Sequence, residues 1–396
     1  MNRDYDNILH PLTLEQFYSE HWEQSPLHIE RSNHEYFSEL LSVADIEALL
    51  SVGNQFFPDV QLVNANADIA VVDYTGDNQK IVTSGLWRHY QAGATLILSG
   101  AARRFPKISR LCRRISSELQ MRSHANVYLS PGSQQGFNAH YDTHDVFVLQ
   151  VSGRKTFHFY HSDIELPFVD AQFNPEHLAA DNVQKTVQET VNLNPGDSLY
   201  IPRGVVHDAV AQGDEASLHI TLGVYPVVAR DILQEMIQVA AEGDVSLRRS
   251  VAVGETASSD RLDALQQMLA TIVTPANYES ARARLFDDLA LDMVPSAEGL
   301  LSRGATADTH GALSRFSQGS FKIDEKSILS AERQGEVLKL RVAGQILEFP
   351  EPFSSAVERL MDKRTVSADS LTDLDDDQRL ALYEQLRSAG CIAANE

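Results

Sequence analysis

The sequence predicts an α+β protein: a double-stranded β-helix, or jelly roll, followed by a helical region and a small winged-helix-like domain. Three observations predict it. Between Ala125 and Tyr225, eight short alternating segments are separated by Gly, Pro and Asn turns at even spacing, the pattern of a sandwich or roll of short strands. After Pro226 the apolar period changes from that of a strand to that of a helix. From Arg315 onward two short alternating runs meet at Ala343-Gly344 and are followed by helical patterns. A chain of 396 residues can bury two or three cores, and these transitions divide it into residues 1–225, 226–314 and 315–396.

Taken in order, Thr13 to Gln24 has apolar side chains at helical spacing until Ser25-Pro26 stops the helix, and Leu27 to Arg31 is a short strand. Tyr36 to Leu41 and Ser42 to Leu50 form a helical pair, with Ser42 as a cap ahead of Asp45 and Glu47. Val60 to Tyr74 is strand material in two parts, Val60 to Val63 and Ile69 to Tyr74, and Thr95 to Ser99 is a further strand. Pro106 to Gln120 is a helix, and the basic cluster Arg103, Arg104, Arg110, Arg113 and Arg114 on or beside it is expected to be a solvated face. The roll strands are Asn126 to Leu129, Ala139 to Asp142, Val146 to Val151, Thr156 to Tyr160, Val187 to Leu193, Ser198 to Ile201, Ala209 to Ala211 and Leu218 to Val224.

Helices Ala229 to Glu242, Ser259 to Val273 and Ala276 to Met293 follow. The first carries the apolar stripe Ile232, Leu233, Met236, Ile237 and Val239, the second Leu262, Leu265, Met268, Leu269 and Ile272. These stripes are expected to pair two copies into a homodimer, the alternative being to cap the roll. Residues 294–314, rich in Ser, Gly and Ala, have the composition of a linker. Beyond them come strands Val337 to Val342 and Gln345 to Phe349 and helices Ser354 to Met361 and Asp376 to Ser388.

Composition narrows the function. With 33 Lys plus Arg against 55 Asp plus Glu the net charge is -22, which repels nucleic acid and membrane phosphates and attracts a basic protein. Residues 315–396 hold 11 basic and 15 acidic side chains, so insertion of the winged-helix-like domain into a DNA groove is not expected. Cys112 and Cys391 are the only cysteines, too few and too far apart for a disulfide framework. Met1-Asn-Arg-Asp-Tyr-Asp has no apolar signal-peptide core, and no apolar run approaches the roughly 20 residues of a membrane span. A cytoplasmic protein is expected.

The chemistry gathers at Asn138-Ala-His140-Tyr-Asp142-Thr-His144-Asp145. In a strand, alternate side chains share a face, so His140 and Asp142 can aim at one point. Gly196-Asp-Ser-Leu-Tyr-Ile-Pro202-Arg-Gly204-Val-Val-His207 supplies a third group on a rigid turn–strand–turn. Two His and one carboxylate with open positions form the ligand set of non-haem Fe(II) oxygenases. Were the segment helical, His140 and His144 would instead share a face and suggest zinc; the flanking β-branched and aromatic run favours a strand and leaves His144 as a neighbour of the pocket or a surface residue. An oxygenase of this type needs a second electron source such as 2-oxoglutarate, whose distal carboxylate requires a cation. Lys155, at the start of the next strand, can reach it unless it faces solvent at the hairpin; Asn126 and Tyr128, at period two, line the same cavity, and His219 sits on a late strand that can face inward.

The runs Ala125-Asn-Val-Tyr-Leu, Gly136-Phe-Asn-Ala-His-Tyr-Asp, Phe147-Val-Leu-Gln-Val-Ser-Gly-Arg-Lys, Tyr200-Ile-Pro-Arg-Gly-Val-Val-His and Ser217-Leu-His-Ile-Thr-Leu resemble the ribosomal oxygenase branch of the JmjC, cupin-fold hydroxylases, as does the opening Phe17-Tyr-Ser-Glu-His-Trp-Glu-Gln-Ser-Pro-Leu-His-Ile. The resemblance implies Fe(II) at His140, Asp142 and His207, and 2-oxoglutarate at Lys155 and Asn126. It also implies hydroxylation of a ribosomal-protein side chain, arginine in bacterial members and histidine in animal ones. Two positions depart from the family: its tryptophan after the basic residue is Phe157, and the serine that some members place after Leu222 is Gly223, which removes a hydrogen bond that Thr221 could replace. The same residues also admit hydroxylation of a small molecule or non-ribosomal peptide, or a non-catalytic cupin-fold binding protein.

Overall fold

The structure is a computed structural model, and it describes residues 7–169, 183–250, 258–295, 320–323, 327–363, 365–367 and 371–394. Most of the expected 294–314 linker lies outside the described residues. The chain packs as two units: one of residues 1–115 and 123–226, the other of 116–122 and 227–396.

The first unit opens with helices α1 (Leu14–Glu20) and α2 (Val43–Ser51), separated by strand β1 (Leu27–Ile29). Both helices start because a side chain satisfies their free amides: Thr13 and Ser42 close capping boxes with Gln16 and Asp45. Then come β2 (Val60–Val63), α3 (Thr83–Gln91), β3 (Thr95–Leu98) and α4 (Pro106–Leu119), whose last turn belongs to the second unit. The roll follows: β4 (Arg122–Ser130), β5 (Asp145–Ser152), β6 (Arg154–Ser162), β7 (Val183–Leu193), β8 (Ser198–Ile201), β9 (Val206–Gln212) and β10 (Ser217–Tyr225). Seven strands form one antiparallel sheet in the order β1-β8-β5-β10-β4-β3-β2, and β7-β6-β9 form a second.

The chain crosses from the large sheet to the small one at Gly153. Its φ is +63° and an added Cβ would lie 2.3 Å from the Ala216 carbonyl oxygen, so both conformation and space demand glycine. The two sheets share a core of Val146, Val148, Phe157, Phe159, Val191, Leu193, Leu199 and Ile201, with each fully buried side chain contributing about 1.5–3 kcal/mol.

Several expectations need correction. Ile69 to Tyr74 is not a strand: Val71–Asp73 is a single 3-10 turn, because α3 packs so closely that a Cβ on Gly85 would sit 2.6 Å from the Asp73 carbonyl oxygen. Tyr36 to Leu41 is a run of turns held by i-to-i−3 hydrogen bonds such as Leu40 N to Phe37 O at 3.0 Å. Ala139 to Asp142 forms one bridge, His140 with His207, instead of a strand. The arginine cluster is not uniformly solvated: Arg113 is buried and donates to Ser109 Oγ at 2.9 Å, and Arg104 pairs with Asp59, while Arg103 stays exposed.

In the second unit, α5 (Ala229–Gly243), α6 (Ser259–Ile272) and α7 (Pro275–Asp292) precede β11 (Ser320–Ile323), β12 (Ile328–Gln334), β13 (Val337–Val342), β14 (Gln345–Pro350), α8 (Phe353–Lys363), β15 (Thr365–Ser367), α9 (Asp376–Ser388) and β16 (Ile392–Ala394). The strands make two small sheets, β12-β13-β14 and β15-β11-β16. Leu338, Leu340, Phe349, Val357, Leu360 and Leu382 centre their core. Met236, Ile272 and Ala281 tie α5, α6 and α7 together, whereas Leu233, Ile237, Leu262, Leu265 and Leu269 remain 40–51% exposed.

Candidate metal centre and its pocket

The bridge between His140 and His207 brings the predicted ligands together. Their backbones exchange hydrogen bonds, His140 N to His207 O at 2.9 Å and His207 N to His140 O at 2.8 Å, and Gly204 N donates to Asp142 O at 2.9 Å. One ligand atom from each of His140, Asp142 and His207 lies within 4.8 Å of the others. Nδ1 of His140 lies 2.9 Å from Asn138 O, and Nδ1 of His207 lies 3.0 Å from Val205 O. A carbonyl can only accept, so both rings carry a proton on Nδ1, which leaves Nε2 as the atom each ring turns toward a metal. Burial, then the neighbouring His140 ring, hold the His207 imidazole well below its ordinary pKa, which keeps it in the neutral form a metal requires.

Behind these ligands is a cavity of about 140 Å³. Lys155 is buried at 4% exposure within it. Its Nζ donates to Ser130 Oγ at 3.3 Å, and Ser130 also accepts from Thr95 Oγ1 at 2.9 Å. No carboxylate pairs with Lys155 among the described residues, and burial pushes its pKa down to about 7. Asn126 also lines the cavity; its Oδ1 accepts from Gly100 N at 3.1 Å, and its side chain bonds the Tyr128 hydroxyl. The Tyr128 ring stacks on His219 with centroids 4.8 Å apart and planes 3° from parallel. His219 is buried and its Nδ1 has no hydrogen-bond partner among the described residues.

His144 lines this pocket and stands outside the cluster of His140, Asp142 and His207. It stacks on Tyr225 at 4.7 Å, and His124 lies 5.0 Å from the same ring. Gly223 makes the arrangement possible, since its Cβ would lie 2.7 Å from His144 Cδ2 and 2.9 Å from His124 Cε1. Phe157 sits between His207 and His219, 6.3 and 6.4 Å from their ring centroids. Thr95, His124, Ser130 and Tyr225 did not stand out in the sequence. The signal for Ser130 was present, because Asn126, Tyr128 and Ser130 continue one period-two face of β4.

Residues 98–232, which hold the roll and the cluster of His140, Asp142 and His207, match the JmjC domain family. Across and beyond this domain, the chain is similar to curated relatives and shares the fold of solved structures. The bifunctional lysine-specific demethylase and histidyl-hydroxylase NO66 of Drosophila persimilis is 28% identical over 306 residues, 73% of this chain and 43% of the relative. Its counterpart in Drosophila grimshawi is 31% identical over 253 residues, 62% of this chain and 34% of the relative. The chain thus spans less than half the length of these curated relatives. Among solved structures, the Escherichia coli ribosomal oxygenase YcfD shares the fold with a TM-score of 0.58 at 16% identity, covering 97% of this chain and 98% of that one. The same protein in complex with cobalt and 2-oxoglutarate gives 0.57 at 18%, covering 98% and 99%.

Proposed function

We propose that this protein is an Fe(II)- and 2-oxoglutarate-dependent protein hydroxylase that acts on a basic ribosomal protein, at an arginine or histidine side chain. One observation carries the reading: two imidazoles and a carboxylate converge beside a pocket that buries a lysine with no carboxylate partner among the described residues. His140, Asp142 and His207 would hold the iron as a facial triad, leaving its other positions open. Lys155 would pair with the distal carboxylate of 2-oxoglutarate, which explains why a lysine is buried without an anion of its own. Asn126 would hydrogen-bond the same co-substrate. When bound, iron and 2-oxoglutarate would let O2 serve as the oxidant, one oxygen atom converting a substrate C–H bond to C–OH and the other entering succinate as 2-oxoglutarate loses carbon dioxide.

The chain's own residues bind, orient and exclude. The Asn138 and Val205 carbonyls fix the two imidazole rings through Nδ1; Val146, Val148 and Phe157 give the cavity an apolar wall that keeps water from it. The relatives' names support a protein substrate, histidyl hydroxylation for NO66 and a ribosomal role for YcfD. The net charge of -22 suits a basic one. The exposed leucines of α5 and α6 support a homodimer through residues 226–314, and 315–396 would be an accessory winged-helix-like domain that does not bind nucleic acid. No described helix is long and apolar enough to cross a membrane, in keeping with a cytoplasmic location. The test is succinate formation by the purified protein with Fe(II) and 2-oxoglutarate, with and without ribosomal proteins, alongside intact masses of ribosomal proteins from cells with and without the gene. A gain of 16 Da that needs the gene is expected; unchanged masses for every ribosomal protein would overturn the ribosomal assignment.

A further inference from the structure

Asp142 differs from the other two candidate ligands. Both imidazoles are oriented by a hydrogen bond to a carbonyl, but the Asp142 carboxylate has no hydrogen bond among the described residues; the neutral His207 ring faces it with Nε2 3.9 Å away. Its position is therefore set by its backbone. Three residues on, Asp145 is fully buried in a polar cluster. Asp145 Oδ1 accepts from the Tyr200 hydroxyl at 2.7 Å and from Arg203 N at 3.4 Å, and Asp145 Oδ2 accepts from Arg203 Nη1 at 2.9 Å. Arg203 Nη1 also pairs with Glu23, whose backbone N donates to the Tyr200 hydroxyl at 3.0 Å.

Each end of this cluster stands close to a ligand in the chain, Asp145 three residues after Asp142 and Arg203 four before His207. Between them the Gly204 N to Asp142 O bond links the two segments again. A buried ion pair is weak evidence for stability, since apolar replacements of similar volume are often as stable. What it does provide is one fixed geometry, as outer-shell partners of metal ligands do.

We infer that Asp145, Arg203 and Tyr200 form a positioning clamp that fixes the backbone of Asp142 against the His207 turn and so sets the carboxylate arm of the metal site. The inference rests on the proposed metal centre. None of the three touches the reacting atoms; they are positioning residues acting through Asp142 and Gly204.

The test uses the full chain with Co(II) as probe, reading its dissociation constant and visible absorption band together with the Tm of the metal-free protein. Wild type is titrated first, and no Co(II) binding there would overturn the metal centre itself. In the paired variant Asp145→Asn/Arg203→Met, which removes both charges, we expect a metal-free Tm within about 5 °C of wild type. Co(II) binding should be weaker by at least about tenfold, with an altered band. Phe17→Leu thins the packing on the Tyr200 ring, 4.9 Å away, without removing a polar atom, and should lower Tm while leaving Co(II) affinity as it is. If the paired variant fails to fold, Tyr200→Phe decides, with a loss of about threefold and a shifted band expected. Co(II) affinity within twofold and an unchanged band in the folded variant would make the cluster a structural ion pair only and overturn the inference.

Discussion

His140 and Asp142 are half-buried at the pocket mouth and not part of the apolar core, so His140→Ala or Asp142→Ala should abolish 2-oxoglutarate turnover and leave the circular dichroism spectrum and Tm near wild type. Succinate formation at wild-type rates by either variant would remove the iron assignment. Lys155→Ala should raise the 2-oxoglutarate dissociation constant by one to two powers of ten, because a charge-assisted contact is worth about 1.5–3 kcal/mol. The same lysine predicts a pH dependence. Burial lowers its pKa to about 7 from the ordinary 10.5, so between those values the free folded protein holds fewer protons here than the unfolded chain, and stability at this site rises with pH. A dicarboxylate needs the ammonium, so binding above pH 7 takes up a proton and 2-oxoglutarate affinity should fall by up to about tenfold per pH unit; a titration that is flat from pH 7 to 9 would contradict this. At Gly223, a serine must push His144 and His124 aside, the nearest atom being 2.7 Å from its Cβ; Gly223→Ser should raise KM for the protein substrate more than KM for 2-oxoglutarate. The convergence of His140, Asp142 and His207 was legible because spacing and residue type coincide. His219 was legible only as a residue on a late strand that can face inward, since a single histidine carries no spacing signal; its place in the cavity lining and its stack on Tyr128 come from the structure.

At the scale of elements, the roll was legible from its alternation, and seven of its expected strands lie within β4 to β10. The exception, Ala139 to Asp142, is the segment that matters most: one bridge to His207 holds it, and the backbone leaves the ladder so that His140 and Asp142 both reach the mouth. A pattern of alternate residues cannot distinguish a strand from an extended segment fixed by a single bridge. Ile69 to Tyr74 failed for a related reason, since Tyr74 is buried but Val72 is exposed and the close approach of Gly85 takes the place of a pairing partner. The stripes on α5 and α6 were read correctly as apolar, but they divide: Met236 and Ile272 pack inward while Leu233, Ile237, Leu262, Leu265 and Leu269 stay exposed. If that exposed set pairs two copies, Leu265→Glu combined with Leu269→Glu should convert a dimer to a monomer in light scattering without lowering helix content, because neither side chain belongs to the buried cluster. A dimer that survives both charges would show that pairing uses another face.

At the scale of the whole molecule, the net charge of -22 acts on the two reactants with opposite sign. It attracts a basic protein and repels the 2-oxoglutarate dianion, and the range of both effects is a Debye length of about 10 Å at 0.1 M salt. Lys155 is buried and is screened little, so its pairing should change slowly with salt, while encounter with the surface should change quickly. Raising ionic strength from about 0.05 to 0.5 M shortens the Debye length roughly threefold. Over that range kcat/KM for a basic protein substrate should fall, with the loss carried by KM and kcat held, as expected for steering of association. Over the same range KM for 2-oxoglutarate should stay level or drop, because the repulsion it meets on approach is screened. A neutral peptide carrying the same target residue should show neither trend. Equal salt responses for basic and neutral substrates would mean that the acidic surface takes no part in substrate choice, and selectivity would then have to come from the pocket lining, which includes His124 and His144.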